Sequence, residues 1–142
     1  MPRIQLTPAE RYPFVTEIQI YISHVNQGGH LDNAQLLTLV SEARVRFFKF
    51  LGYVESGVEG LLIVVADIVA QYKSEGFHGE IMRVEMAPSD FNKYGFDLRF
   101  RMSEKETQRD VALGKIGIVF VDGDNRQVSL MPPAFANKVN QL

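Results

Sequence analysis

The feature that most constrains the fold is a long, largely apolar helical segment in the first half of the chain. Residues 34–51, AQLLTLVSEARVRFFKFL, contain eleven apolar residues among eighteen. At 100° per residue, most of the polar side chains fall in one narrow stripe, formed by Gln35, Thr38, Glu42, Arg46 and Lys49. A helix with so narrow a polar stripe must be covered by other structure over most of its circumference. Asp32 or Asn33 can cap its start, and Gly52 can end it.

Alternating and apolar runs on both sides of this helix predict an antiparallel sheet. Most of the runs alternate between apolar and polar residues, which is the period of a half-buried strand. The run at 60–72 is rich in Leu, Ile and Val, which predicts a strand buried on both faces. A short helical tail is expected after Pro132-Pro133. The predicted strands are residues 14–23, 60–72, 80–86, 95–102 and 111–121.

The order of these elements predicts an α+β fold. Four strands follow the helix with no second long helix between them, and strands connected in this way are usually antiparallel neighbours. One antiparallel sheet of about five strands curled around the central helix is the simplest packing. Residues 1–142 are expected to form a single domain. Because a single sheet leaves an edge strand open, a homodimer or homotetramer is expected.

Composition excludes several classes of function. A formal charge of −2 gives no basic field for nucleic acid. The absence of cysteine excludes disulfides and thiolate nucleophiles, and three histidines with this spacing suit no zinc motif. The first residues lack the apolar core of a signal peptide, and the apolar run 60–70 is too short to span a bilayer. A cytoplasmic protein without membrane, metal or cofactor is therefore expected.

A polar turn, HVNQGGHLDNA at residues 24–34, lies just before the helix. With the following helix it resembles the hotdog-fold acyl-CoA thioesterases of the 4-hydroxybenzoyl-CoA thioesterase type. These proteins carry an Asp-x-x-Gly-His-Val-Asn-Asn-Ala segment and a Glu-Ala-Arg segment further along the helix. The similarity covers about residues 14–135. The matching positions are Gly29, His30, Asn33 and Ala34 for the first motif, and Glu42, Ala43 and Arg44 for the second.

The resemblance implies a site at the start of the helix, with one departure. The backbone N–H at Asn33 is expected to polarise the thioester carbonyl, as free N–H groups at a helix N-terminus suit an oxyanion. The usual catalytic aspartate is replaced by Asn26, whose carboxamide can orient water but cannot accept a proton. His30 is the candidate base. Gly28 and Gly29 are expected to let substrate approach the backbone closely.

Each of these polar residues also has a structural interpretation. His30 could simply bond the backbone at the helix entrance, and the glycines could simply form the turn. His24 is a weaker catalytic candidate that could cap the end of the strand. Glu42 is a further candidate, because some hotdog proteins use a carboxylate on this helix. Its place four residues before Arg46 instead favours an i,i+4 ion pair, so a catalytic role would require a subunit interface.

The main functional hypothesis is hydrolysis of acyl-CoA to a carboxylic acid and free coenzyme A. Basic residues on exposed strands could meet the phosphates of coenzyme A or simply be solvated, and these are Lys73, Lys93, Arg99 and Arg101. The first alternative is a binding module for acyl-CoA or acyl-carrier protein that has lost hydrolysis along with the acid. The second is a hotdog dehydratase, which would need His30 and Glu42 to face each other across a dimer.

Overall fold

The computed structural model describes residues 3–54 and 57–142. One long helix packs against a five-stranded antiparallel sheet, and the strand order is β1-β3-β4-β5-β2. This arrangement is the hotdog fold that the resemblance implied. The strands are β1 Phe14–Gln19, β2 Leu62–Tyr72, β3 Ile81–Ser89, β4 Gly95–Glu104 and β5 Asp110–Val121. The helices are α1 Asn33–Phe50 and α2 Pro133–Asn140.

Helix α1 is the predicted central helix, one residue earlier at each end than expected. Asp32 is its N-cap, and Gly52 follows it with φ at +95°, a conformation that glycine adopts without strain. Its apolar face is buried and meets the sheet. Its polar stripe lies beside β1, where Arg46 Nη1 donates to the Glu17 carbonyl at 2.9 Å. The buried residues of α1 are Leu36, Leu39, Val40, Ala43, Phe47 and Phe48.

Strand β4 shows how the alternating pattern specifies the core. Phe96, Leu98, Phe100 and Met102 are at most 1% exposed, as the alternation predicted. The core continues beyond the sheet through Phe135 of α2, which stacks on Phe48 of α1 with ring centroids 6.1 Å apart. The predicted helical tail therefore closes the end of the core.

Two strand predictions were wrong in detail. Strand β1 ends at Gln19 because the chain turns into a short 3-10 helix at Ile22–His24, which leaves Ile22 73% exposed. Strand β2 was expected to be buried on both faces, but in the single chain it is an edge strand paired only with β5. Val64 and Val65 near its middle are 40% and 38% exposed.

No helix in residues 3–54 or 57–142 combines the length and the apolar character needed to cross a membrane.

Candidate active site

The polar turn is closed by the side chain of Asn26. Asn26 Oδ1 accepts the backbone N–H of Gly28 at 2.9 Å and that of His30 at 3.5 Å. The backbone N–H of Asn26 donates to the His30 carbonyl at 3.0 Å. Gly29 follows with φ at +85°, which favours glycine. The Asn26 carboxamide thus holds the turn that carries His30. An aspartate could accept the same two bonds.

The capping of helix α1 leaves one backbone donor free. Asp32 Oδ2 accepts the N–H groups of Ala34 and Gln35 at 2.9 and 3.3 Å, and the Asp32 carbonyl accepts that of Leu36. Among residues 3–54 and 57–142, no acceptor bonds the N–H of Asn33. The first N–H groups of a helix point along its axis and carry its partial positive charge. Asn33 therefore offers an unpaired backbone donor at the start of the helix.

This end of the helix opens on a cavity of about 270 Å³. His30 and Asn33 form one wall, and the end of β2, the chain that follows it and the start of β5 form the other. The two walls are joined by the Tyr72 hydroxyl, which donates to the Asn33 carbonyl at 3.0 Å, and by Leu31 N–H, which donates to the Gly76 carbonyl at 2.7 Å. The residues of the second wall are Tyr72, Lys73, Ser74, Glu75, Gly76 and Val111.

The shorter of two contacts of the His30 ring favours one tautomer. Nδ1 lies 3.3 Å from the Leu31 carbonyl, which can only accept, so a neutral ring makes this hydrogen bond when its proton is on Nδ1. Nε2 then has a free lone pair, and it lies 3.8 Å from Glu75 Oε1. A Cβ at residue 28 would come within 3.3 Å of Nε2, so Gly28 leaves room for the ring. A neutral imidazole in this arrangement can accept a proton at the cavity.

His24 and Glu42 lie in a different part of the molecule. They border a second cavity of about 320 Å³ between β1 and α1. His24 Nδ1 accepts the Tyr21 N–H at 2.9 Å, and Glu42 pairs with Arg46 at 2.7 Å. These are the capping and ion-pair roles that the structural interpretations expected. Within one chain His30 and Glu42 border different cavities, so the pair required for a dehydratase is not assembled there.

Sequence analysis identified one wall of the first cavity and missed most of the other. Of the second wall, only Lys73 was a candidate ligand for coenzyme A phosphates, and it does line the cavity. Two other basic candidates have structural partners: Arg101 pairs with Asp110 at 2.9 Å, and Arg99 bonds the Thr7 carbonyl. The polar run KSE at residues 73–75, immediately after an apolar strand, was the available signal for a wall at this position.

Comparison with known proteins gives the family. Residues 21–139 match the model of the thioesterase-like superfamily, and the chain belongs to that family. Membership supports thioester hydrolysis as the general class of reaction. None of the curated proteins has a significant sequence match to this chain.

Solved structures show the same fold at low sequence identity. A 1,4-dihydroxy-2-naphthoyl-CoA thioesterase from Synechocystis superposes with a TM-score of 0.82 at 15% identity, covering 91% of this chain and 96% of that chain. The DHNA-CoA thioesterase of Staphylococcus aureus has a TM-score of 0.80 at 17% identity, covering 89% and 88%. A probable thioesterase from Escherichia coli has a TM-score of 0.75 at 17% identity, covering 89% and 96%. At these identities the likeness shows the fold alone.

Proposed function

We propose that this protein hydrolyses acyl-CoA thioesters, with the free N–H of Asn33 as donor to the oxyanion. The observation that carries the proposal is this unpaired donor at the start of an 18-residue helix, in a residue that shares a cavity with His30. A preorganised donor stabilises charge that develops in the transition state more than charge already present in the substrate.

In the proposed reaction, His30 is the base and water is the nucleophile. Water attacks the carbonyl carbon as Nε2 of His30 accepts one of its protons, and the carbonyl oxygen becomes an oxyanion bonded to the Asn33 N–H. The oxyanion collapses, the carbon–sulfur bond breaks, and the protonated imidazole returns the proton to sulfur. The products are a carboxylic acid and the free thiol, and His30 is neutral again. Asn26 acts as a positioning residue through the turn, Gly28 keeps space beside the ring, and Gly29 adopts the positive φ of the turn.

The first test is thiol release from a panel of aliphatic and aromatic acyl-CoAs. We expect wild-type hydrolysis of at least one acyl class. Asn26→Asp should be faster than wild type, because aspartate keeps the two turn bonds and adds a carboxylate that can accept a proton. Asn26→Ala, which loses the acceptor, is the matched control and should be slower and less stable to urea.

A module that binds acyl-CoA without hydrolysing it is the second candidate. It is favoured by Asn26, whose carboxamide stands at the position of the usual acid and already accepts two backbone N–H groups of the turn. Calorimetry separates the two functions. Acyl-CoA that binds tightly but releases no thiol with wild type or Asn26→Asp would establish the binding module and exclude hydrolysis. Thiol release by wild type would show that the protein hydrolyses thioesters and would exclude the binding module.

We further propose that two copies pair through β2, in keeping with the expected homo-oligomer. Edge strands with exposed apolar residues pair readily, and lysine on such an edge opposes pairing. Wild type should sediment as a dimer or tetramer, and Val65→Lys should shift it toward monomer. Val15→Lys is the matched control, because Val15 is 43% exposed on β1, the other edge of the sheet. A monomeric wild type, or an equal shift in both variants, would contradict pairing through β2.

A further inference from the structure

We propose that Glu75 supplies the negative charge that this site lacks at residue 26, and that it acts through His30. The inference rests on the proposed hydrolysis and adds a residue to it. Glu75 Oε1 lies 3.8 Å from His30 Nε2, and both residues line the cavity that Asn33 borders. In the described part of the chain, no other carboxylate lies within 4 Å of the His30 ring nitrogens. Glu75 is therefore a positioning residue that faces the proton-accepting atom.

The backbone holds Glu75 at this place. The segment carrying it pairs with the polar turn through a bridge between His30 and Phe77. On the other side, Arg109 donates to the Glu75 carbonyl at 2.9 Å and to the Glu80 carboxylate at 2.9 Å. Anchored on both sides, residue 75 keeps a carboxylate beside the imidazole.

The separation of 3.8 Å suits an electrostatic role better than a ground-state bond. The distance is too long for a hydrogen bond, and a neutral Nε2 offers no proton to a carboxylate. When His30 takes the proton from water, the imidazolium and Glu75 become an ion pair. The attraction exists only after proton transfer begins, so it lowers the barrier more than it stabilises the resting enzyme.

Exposure limits the size of the effect. The side chains of His30 and Glu75 are 30% and 60% exposed, so water and salt screen their attraction. We therefore expect Glu75→Gln to lower kcat by about 2- to 5-fold, much less than removal of His30 itself. KM should change little, because the carboxylate acts on a charge that the bound substrate does not carry.

The experiment compares charge at residue 75 in two backgrounds. Glu75→Gln and Glu75→Lys are measured with and without His30→Ala, using the best acyl-CoA of the panel. We expect kcat to be highest with Glu at position 75, lower with Gln and lowest with Lys. These differences should shrink as salt is added. In the His30→Ala background, all three residues at position 75 should give the same residual rate. Glu106→Gln and Glu106→Lys, in the exposed turn between β4 and β5, are matched controls and should equal wild type.

Each other outcome overturns the inference in a recognisable way. An active wild type whose kcat is unchanged by Glu75→Gln would leave hydrolysis in place and remove Glu75 from it. An equal loss in both backgrounds would show that Glu75 acts on water or substrate directly. A wild type that hydrolyses no acyl-CoA would overturn the proposed function, and this inference with it.

Discussion

The Asn33→Pro variant is expected to lose about 10²–10³-fold in kcat, as enzymes do when one oxyanion donor is removed. Proline at the first position of a helix keeps the fold, because the N–H it lacks has no helical partner there. The preceding residue must be extended, and Asp32 already is, with φ −66° and ψ 143°. The substitution therefore deletes the proposed donor and little else. Steady-state kinetics should show equal losses in kcat and kcat/KM, since the bond forms only in the transition state.

Asn33→Ala is the control, because it removes the side chain and keeps the backbone N–H. It should retain most of the wild-type rate. Urea unfolding should give both variants a midpoint near that of wild type. If Asn33→Pro folds normally and turns over like Asn33→Ala, the N–H of residue 33 is not the oxyanion donor.

His30→Ala is expected to lower kcat by about 10²–10⁴-fold, the usual contribution of a general base. The reason is geometric. In the neutral tautomer whose Nδ1–H bonds the Leu31 carbonyl, Nε2 is the atom that can accept a proton at the cavity. His30→Gln places an amide near the same space without a basic nitrogen and should be nearly as slow. Single-turnover thiol release would separate the chemical step from binding.

His78→Ala is the matched control, because His78 is exposed in the segment between β2 and β3. Its activity should equal that of wild type. Wild-type rates in both His30→Ala and His30→Gln, with normal unfolding midpoints, would show that His30 serves only to hold the helix entrance.

The fold was predictable because its signals are local. The alternation in β4 and the narrow polar stripe of α1 each depend on residues a few positions apart, and each specified which face is buried. Asp32 is a capping residue, and the backbone N–H groups that its side chain accepts lie in the first turn of α1. The start of α1 could therefore be placed to within one residue. The burial of β2 could not be predicted in the same way. An apolar strand is compatible with two covered faces or with an edge that meets a second copy.

By itself, the sequence determined a helix that needs a sheet around it and a polar turn that presents Asn33 and His30 at the start of that helix. These follow from periodicity, capping and turn chemistry, which act between neighbours in the chain. Only the tertiary structure decided what faces them. The chain after β2 lies far from the turn in sequence, and the backbone bonds of Leu31 and Phe77 bring it close. Those contacts place Glu75 beside His30 and separate both from Glu42, because the position of a loop depends on which strands pair.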